Sequence, residues 1–198
     1  MSVSYTNRKG VTYMLYRGQT RTGKPRYYFG RSGQSQGDPV TELPPGYTIS
    51  ESVNGVVSLV KDRPALILPE EVAAVEAAVQ QHPRARRYRV AVKGNRIEVY
   101  EQVGPDYNAV VSALHMPGLS RPGLVEELRG LEERHAQYTP VLRFTLLDPK
   151  QRRFGSERMC YLGGIDGWLE LHGQTGPVAE LARALIPTLG TEQFFELW

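Results

Sequence analysis

Paired strand-like runs separated by tight-turn residues are the feature that most limits the folds open to this chain. The runs "YTISESV" (47–53) and "VVSLVK" (56–61) flank an Asn-Gly dipeptide at 54–55. Asn-Gly is the strongest short signal for a hairpin loop, because both residues accept the positive φ that a type I′ turn needs. A second pair of runs, "RRYRVAV" and "RIEVY", flanks "KGN" at 93–95. Both regions are therefore predicted to form antiparallel hairpins.

Two more hairpins are predicted from the same kind of pattern. "VTYMLYR" (11–17) and "RYYFGR" (26–31) are separated by "GQTRTGKP", whose glycines and proline indicate a long loop. In the second half, "VLRFTLL" (141–147) and "ERMCYL" (157–162) flank "DPKQRRFGS". The sequence leaves open whether the four hairpins share one sheet or belong to two.

The clearest helix signal is "LPEEVAAVEAAVQQHP". Pro69 suits a first helical turn, and Pro83 marks where the helix stops. Val72, Val75 and Val79 form one apolar stripe, as expected for a helix that buries one face.

Three further helices are predicted in the second half. "LVEELRGLEERHAQ" carries the stripe Leu124, Leu128 and Leu131, and "PVAELARALIP" carries Val178, Leu181, Ala182 and Leu185. A short helix, "EQFFELW", is expected to dock its aromatic side chains and Trp198 onto the core, since burying each contributes a few kcal/mol. The predicted fold class is α+β, with mainly antiparallel β-hairpins interleaved with short amphipathic helices.

Charge divides the chain near its middle. Residues 1–100 contain 15 Lys and Arg against 8 Asp and Glu, whereas residues 101–198 contain 9 against 13. We therefore predict a basic β-rich half with one helix at 1–103 and an acidic α+β half at 104–198, and leave open whether they form one continuous domain. The first acid in the chain is Asp38. Such asymmetry suggests an anionic partner, although a merely solvated basic face would give the same composition.

Composition excludes several classes of protein. No apolar run approaches the roughly 18 residues of a membrane span, and the N-terminal segment lacks the apolar core of a signal peptide. The single cysteine, Cys160, fits a reducing cytoplasm. We predict a cytoplasmic location and no membrane partner. The four histidines are scattered and none has ligand spacing with the cysteine, so no metal site is predicted.

No catalytic motif is visible. The chain lacks a phosphate-binding glycine loop, a nucleophile elbow and a zinc-protease helix, so no cofactor and no catalytic residue are predicted. Cys160, Asp166 and His172 lie close in sequence. A strand pattern around the cysteine favours a buried structural thiol over a nucleophile. An unrecognised enzyme stays as a third interpretation.

Cationic and aromatic side chains gather in two places, and these are the candidate nucleic-acid-binding residues. The first set lies in "RGQTRTGKPRYYFGR" and comprises Arg17, Arg21, Lys24, Arg26, Tyr28 and Arg31. The alternation of side chains along a strand separates Arg26 and Tyr28 from Tyr27 and Phe29, so one aromatic set is expected to pack and the other to be available for stacking. Arg21 and Lys24 are expected in a flexible loop.

The second set lies on the hairpin around 93–95. If Gly94 and Asn95 form its turn, Tyr88, Val90, Val92, Ile97 and Val99 share the buried face. The opposite, solvent-exposed face then carries Arg87, Arg89, Lys93, Arg96 and Tyr100.

Arginines interleaved with aromatics on a sheet suit single strands or backbone contacts better than groove recognition. The leading hypothesis is therefore a non-enzymatic nucleic-acid-binding protein. The alternative is a protein-interaction or self-association module, such as a homo-oligomer, whose basic and acidic halves attract each other or neighbouring subunits. Nothing in the sequence indicates which nucleic acid is bound.

Three strings, "KPRYYFGR", "LPPGYTISESVNGVVSLVK" and "LGTEQFFELW", together resemble stretches of an uncharacterised family of hypothetical bacterial proteins. The resemblance spans most of the chain and implies a bacterial protein with this overall layout. It implies no activity, cofactor or site residue.

Overall fold

The computed structural model describes residues 2–31, 37–104, 130, 134–160 and 167–196, and the statements below refer to those residues. The strands are β1 Ser4–Thr6, β2 Thr12–Gln19, β3 Pro25–Arg31, β4 Asp38–Pro39, β5 Tyr47–Glu51, β6 Val57–Lys61, β7 Tyr88–Lys93, β8 Arg96–Val103, β9 Gln137–Asp148, β10 Arg153–Cys160 and β11 Gly167–Gly176. The helices are α1 Pro69–Gln81, α2 Val178–Leu185 and α3 Glu192–Glu196. This is the predicted α+β fold of mainly antiparallel strands.

The chain divides into two compact units that differ from the two sequence halves. The first unit comprises Met1–Arg63 and Gly104–Gln137, and the second comprises Pro64–Val103 and Tyr138–Trp198. Residues 64–103, which include the predicted basic hairpin β7–β8, thus group with the C-terminal part of the chain. The prediction of two domains that meet at residues 103 and 104 stays a prediction.

The first unit contains a sheet in the order β1-β2-β3, with β4 also paired to β2, and a separate two-stranded sheet, β5–β6. Asn7 joins the two sheets. Its side chain is buried, its Nδ2 donates to the carbonyl of Gly55 at 2.6 Å, and its Oδ1 accepts from the backbone N–H groups of Lys9 and Val11. A buried amide that satisfies both of its ends fixes one turn against the other.

The second unit is a five-stranded sheet in the order β11-β10-β9-β8-β7, with α1 and α2 packed together over one face. The fully buried side chains on that face of the sheet include Ile97, Leu142, Phe144 and Phe154. The apolar stripes predicted for α1 and α2 both pack here, with Val75 and Ala182 completely inaccessible and Val72 partly buried. Alternation along the strands and helical spacing along α1 and α2 thus supply the two sides of one core.

The C-terminal helix α3 forms as predicted but buries only part of its aromatic set. Phe194 is buried, whereas Phe195 is 57% exposed. Successive helical residues point about 100° apart, so a short helix cannot place both rings against the same core. Trp198 lies outside the described residues.

The predicted β5–β6 hairpin is confirmed, but its turn type is wrong. The Ser52 N–H donates to the Val56 carbonyl, which leaves a three-residue loop, and Gly55 is the residue there with positive φ, at 78°. A type I′ turn would require positive φ at Asn54 as well. One left-handed glycine closing a three-residue loop is the common alternative.

The predicted register of β7–β8 is confirmed: Val92 pairs with Ile97, and Val90 with Val99. Tyr88, Ile97 and Val99 are buried as expected, whereas Val92 near the hairpin turn is 45% exposed.

The β9–β10 hairpin is also confirmed, and Cys160 at its end is buried. The sequence patterns did not predict β1, β4 or β11. The predicted helix with Leu124, Leu128 and Leu131, and Asp166, lie outside the described residues. None of the described helices is both long and apolar enough to cross a membrane.

Candidate nucleic-acid interface

The β2–β3 hairpin has a tighter loop than the sequence suggested. Gln19 pairs with Pro25, so the loop is Thr20–Lys24. The Thr20 N–H donates to the Lys24 carbonyl at 2.8 Å, and the Thr20 hydroxyl accepts from the Lys24 N–H at 3.1 Å. Gly23 adopts φ 78° and donates its N–H to the Thr20 carbonyl. These bonds close the five-residue loop that carries Arg21 and Lys24, and its predicted flexibility stays a prediction.

Four cations of this hairpin point into solvent. Arg17, Arg21, Lys24 and Arg26 are all exposed, and within the described chain none makes a side-chain hydrogen bond or an ion pair. The acid that sheet pairing places nearest is Asp38, opposite Arg17 on β4, and it is not in ion-pair contact. These four charges are therefore not neutralised by contacts with described acids.

Cross-strand pairing fixes which side chains share a face. Arg17 lies opposite Tyr27, so the two share one face, and Arg31, which is also exposed, lies on that face. Arg26 and Tyr28 occupy the other face, as the predicted separation requires. Each face thus carries cations and one tyrosine near the loop.

Tyr28 is less available than predicted. Its ring is half-buried and stacks on the ring of Tyr16, with centroids 5.9 Å apart and an interplanar angle of 22°. The adjoining backbone is close: a Cβ on Gly37 would lie 2.8 Å from the Arg17 carbonyl oxygen and 2.9 Å from the Tyr28 hydroxyl. Gly37 also has φ 138°, so this approach requires glycine.

The second predicted surface is only partly solvent-exposed. Tyr100 is only 5% exposed, and its hydroxyl donates to the carboxylate of Glu98, which is equally buried. Lys93 is exposed, but its Nζ lies 3.0 Å from Glu98 Oε2 and 5.2 Å from the centre of the Tyr100 ring. Arg96 is exposed. The expectation was wrong for Tyr100, because strand alternation separates the two faces of a sheet but does not decide whether the second face is covered.

The contacts among Lys93, Glu98 and Tyr100 shift the pKa values of Lys93 and Tyr100. Burial, with the Glu98 hydrogen bond, raises the pKa of Tyr100. For Lys93, burial favours the neutral amine, but hydrogen bonds to Tyr100 and Glu98 outweigh burial and raise the pKa. The ammonium of Lys93 therefore already has an anionic partner.

The two arginines of the second surface are half-buried and bonded to the backbone. Arg87 donates from Nη2 to the Gln102 carbonyl at 2.9 Å. Arg89 donates from Nη1 to the carbonyls of Arg86 and Tyr88, and its guanidinium lies 5.4 Å from the ring centre of Tyr138. Each guanidinium thus stabilises local structure.

A second charged cluster, on β9–β11, was not predicted. Arg143 lies opposite Glu157 and donates from Nε to its carboxylate at 2.6 Å, while the Thr145 hydroxyl donates to the same carboxylate at 2.9 Å. The Arg143 guanidinium lies 4.2 Å from the ring centre of Trp168. Alternation within each strand was visible, but the nine-residue connection that was predicted left the β9–β10 register undetermined.

Glu157 is held as a carboxylate. Its burial favours the protonated acid, but hydrogen bonds from Arg143 and Thr145, together with the positive charges of Arg143 and Arg96, outweigh burial and lower the pKa. Because donors already occupy the lone pairs of this carboxylate, the ion pair holds the strands in position and does not serve a reaction. We therefore assign this cluster to the structure of the sheet.

Metal and nucleophile chemistry find no support in the described residues. No group of three or more His, Cys, Asp and Glu side chains there is arranged to hold a metal ion. The Cys160 thiol is buried at the end of β10, as the structural interpretation predicted.

No protein-family model, curated protein or solved structure matches the chain. The resemblance to a bacterial family stays a prediction. Among the described residues of the predicted sites, the most exposed concentration of unpaired charge is the β2–β3 hairpin.

Proposed function

We propose that the first unit binds nucleic acid, and single strands in particular, through the β2–β3 hairpin. The observation that carries the proposal is the set of four exposed cations, Arg17, Arg21, Lys24 and Arg26, that lack acidic partners within the described chain. The sequence contains no acid before Asp38, and although Asp38 lies opposite Arg17 it forms no ion pair with it. Phosphates release condensed counterions when such side chains neutralise them, which drives binding.

The arrangement of the hairpin favours a flexible strand over a duplex groove. A two-stranded ribbon can enter a duplex groove, but here β2 is also paired to β1 and β4 over residues 12–14 and 16–17, so only the short end of the hairpin around Thr20–Lys24 extends beyond the sheet. Tyr27 lies opposite Arg17 and is half-buried, so only the exposed part of its ring is available to a base beside a phosphate contact. The surface of β7–β8 is not part of the proposal, because Tyr100 is buried and Lys93 is paired with Glu98.

The test is a fluorescence anisotropy titration in which the protein is added to a labelled single-stranded oligonucleotide of about 20 nucleotides and, separately, to the matching duplex. Four phosphate contacts predict a log–log salt slope of about 3 on the single strand, at about 0.7 per contact. Changing Arg17, Arg21, Lys24 and Arg26 together to Gln should remove most of that slope and most of the affinity.

A matched control separates the hairpin from net charge. Lys61, Arg63, Arg86 and Lys150 are exposed cations outside the hairpin, and their change to Gln removes the same total charge. The control should retain the salt slope. Equal losses in the two variants, or no binding at about 50 mM salt where phosphate contacts are strongest, would refute the proposal.

A further inference from the structure

Strand β3 forms an edge of its sheet, and the direction of its backbone groups follows from its neighbour β2. The Leu15 N–H donates to the Val3 carbonyl and the Val40 N–H donates to the Leu15 carbonyl, so the backbone of Leu15 points away from β3. Backbone groups alternate in direction along an antiparallel ladder. Tyr16 therefore points to β3, and its partner Tyr28 points back to β2.

The neighbours of Tyr28 point the other way. The backbone N–H and C=O of Tyr27 and Phe29 face out of the sheet, and in the described part of the chain they have no hydrogen-bond partner. Two residues thus present four backbone groups along one side of β3. An unpaired row of this kind is a template for an added strand.

The β5–β6 sheet lies against this hairpin without pairing to it: β6 contacts β3, and no ladder of backbone hydrogen bonds joins these two described strands. Tyr5 lies opposite Tyr13 and therefore on the same face as Leu15, and its hydroxyl donates to Glu51 of β5 at 2.9 Å. That face buries Leu15 completely. The side chains of Tyr27 and Phe29 belong to the same covered face and are half-buried, while their backbone groups point sideways.

Charge selects the occupant of the edge. Lys24 and Arg26, both without an acidic partner in the described chain, lie at the start of β3, and exposed Arg31 ends it. A second copy of β3 would bring a second set of cations to the same edge, and like charges across strands are destabilising. An acidic strand would instead place carboxylates within reach of these side chains.

We propose that the edge of β3 binds an extended acidic peptide of a partner protein by strand addition. Backbone hydrogen bonds to Tyr27 and Phe29 supply the pairing, and Lys24 and Arg26 select for acidic side chains. The inference does not require the proposed nucleic-acid binding, because it depends on outward backbone groups rather than on phosphate contacts.

The first experiment leaves the protein unchanged. A fluorescein-labelled decapeptide of alternating Glu and Val is titrated by anisotropy against the full chain, beside the same peptide N-methylated on alternate residues of either register. N-methylation keeps the charge but removes the amide donors, so it should weaken binding about tenfold or more. Equal binding of the methylated and unmethylated peptides, or no binding of either, would overturn the proposal.

The second experiment changes the edge itself. Tyr27→Pro removes an outward N–H and no bond of the β2–β3 ladder, a position where an edge strand accepts proline. Tyr27→Ala is the control, since it loses the same side chain and keeps the N–H. The proline variant should bind the peptide about tenfold more weakly than the alanine variant, and equal affinities would count against strand addition.

The oligonucleotide titration distinguishes this inference from the proposed function. Peptide binding that N-methylation abolishes, with no oligonucleotide binding, supports strand addition and rejects the proposed function. Oligonucleotide binding with no peptide binding rejects strand addition and leaves the proposed function standing.

Discussion

Replacement of Glu71 at the start of α1 should destabilise the second unit by a predictable amount. Its side chain is 9% exposed, and its carboxylate accepts from the backbone N–H of Leu68 at 2.8 Å and from Arg152 Nε at 2.7 Å, with a further bond from Arg152 Nη2. Arg152 also donates to the Leu66 carbonyl at 3.2 Å. One carboxylate therefore caps the helix and holds the β9–β10 loop against it.

The expected loss follows from the exposure of the two partners. Removing one side of a buried ion pair costs about 3–5 kcal/mol, whereas an exposed pair contributes about 0–1 kcal/mol. The Arg152 side chain is 30% exposed, so we expect an intermediate loss. Glu71→Gln keeps an acceptor for the Leu68 N–H and should cost about 1–2 kcal/mol. Glu71→Ala also removes the cap and should cost about 1 kcal/mol more.

Urea unfolding followed by tryptophan fluorescence is a selective assay, because both tryptophans of the chain, Trp168 and Trp198, belong to the second unit. Glu70→Gln is the matched control. Glu70 is exposed in the same helical turn and makes no hydrogen bond to Arg152, so its change removes its interaction with the helix dipole, about 0.3–1 kcal/mol, and only a weak charge interaction with Arg152. If Glu71→Gln and Glu70→Gln lower the free energy of unfolding equally, the assigned role of the Arg152 contact is wrong.

Three further predictions concern pH and a buried amide. The pKa of Glu157 is lowered in the folded state, so its carboxylate stabilises the fold above the unfolded pKa of about 4.3, and this stabilisation is lost as the pH falls below that value. Glu157→Gln should therefore flatten the fall of the urea midpoint between pH 6 and pH 3. An unchanged fall would contradict the Arg143 pairing. Burial, assisted by the carboxylate of Glu101, raises the pKa of Tyr88 to about 12, so folding favours the neutral phenol and stability should fall as the pH rises above about 10. The Tyr88→Phe variant should therefore lose less stability than the natural chain between pH 9 and pH 11, as measured by the urea midpoint. Asn7→Ala leaves the Gly55 carbonyl and two backbone N–H groups without their partner, and it should lower the free energy of unfolding of the first unit by about 2–4 kcal/mol. The loss should appear as faster amide hydrogen exchange in β1–β2 and β5–β6. Unchanged exchange would show that the Asn7 amide is dispensable.

Local patterns predicted the elements whose core-facing side is set by periodicity. The α1 stripe and the β7–β8 register follow from spacing alone, because a slip by one residue would turn Ile97 and Val99 out of the core. Strand β11 was missed because the glycines before it indicated a turn, although its pairing partner β10 is the strand that directly precedes it in the sequence. Its alternating "WLEL" was the available signal.

The candidate sites were predicted in composition but not in environment. Exposure of Arg21 and Lys24 followed from their place in a hairpin loop, where few atoms surround a side chain. Burial of Tyr100 depends on what covers the second face of the sheet, and no local pattern encodes that. The Arg143–Glu157 pair likewise required the register of a long hairpin, which the tertiary structure determines.

The chain passes between its two units more than once, and this limits how the protein can be cut into fragments. The backbone passes from one unit to the other at residues 63–64, 103–104 and 137–138. Strands β8 and β9 are neighbours in one sheet, yet the intervening segment belongs to the other unit. A fragment ending at residue 103 would therefore carry β7 and β8 without the three strands that complete their sheet, and a single proteolytic cut at any one crossing would leave the two units covalently joined through the remaining crossings.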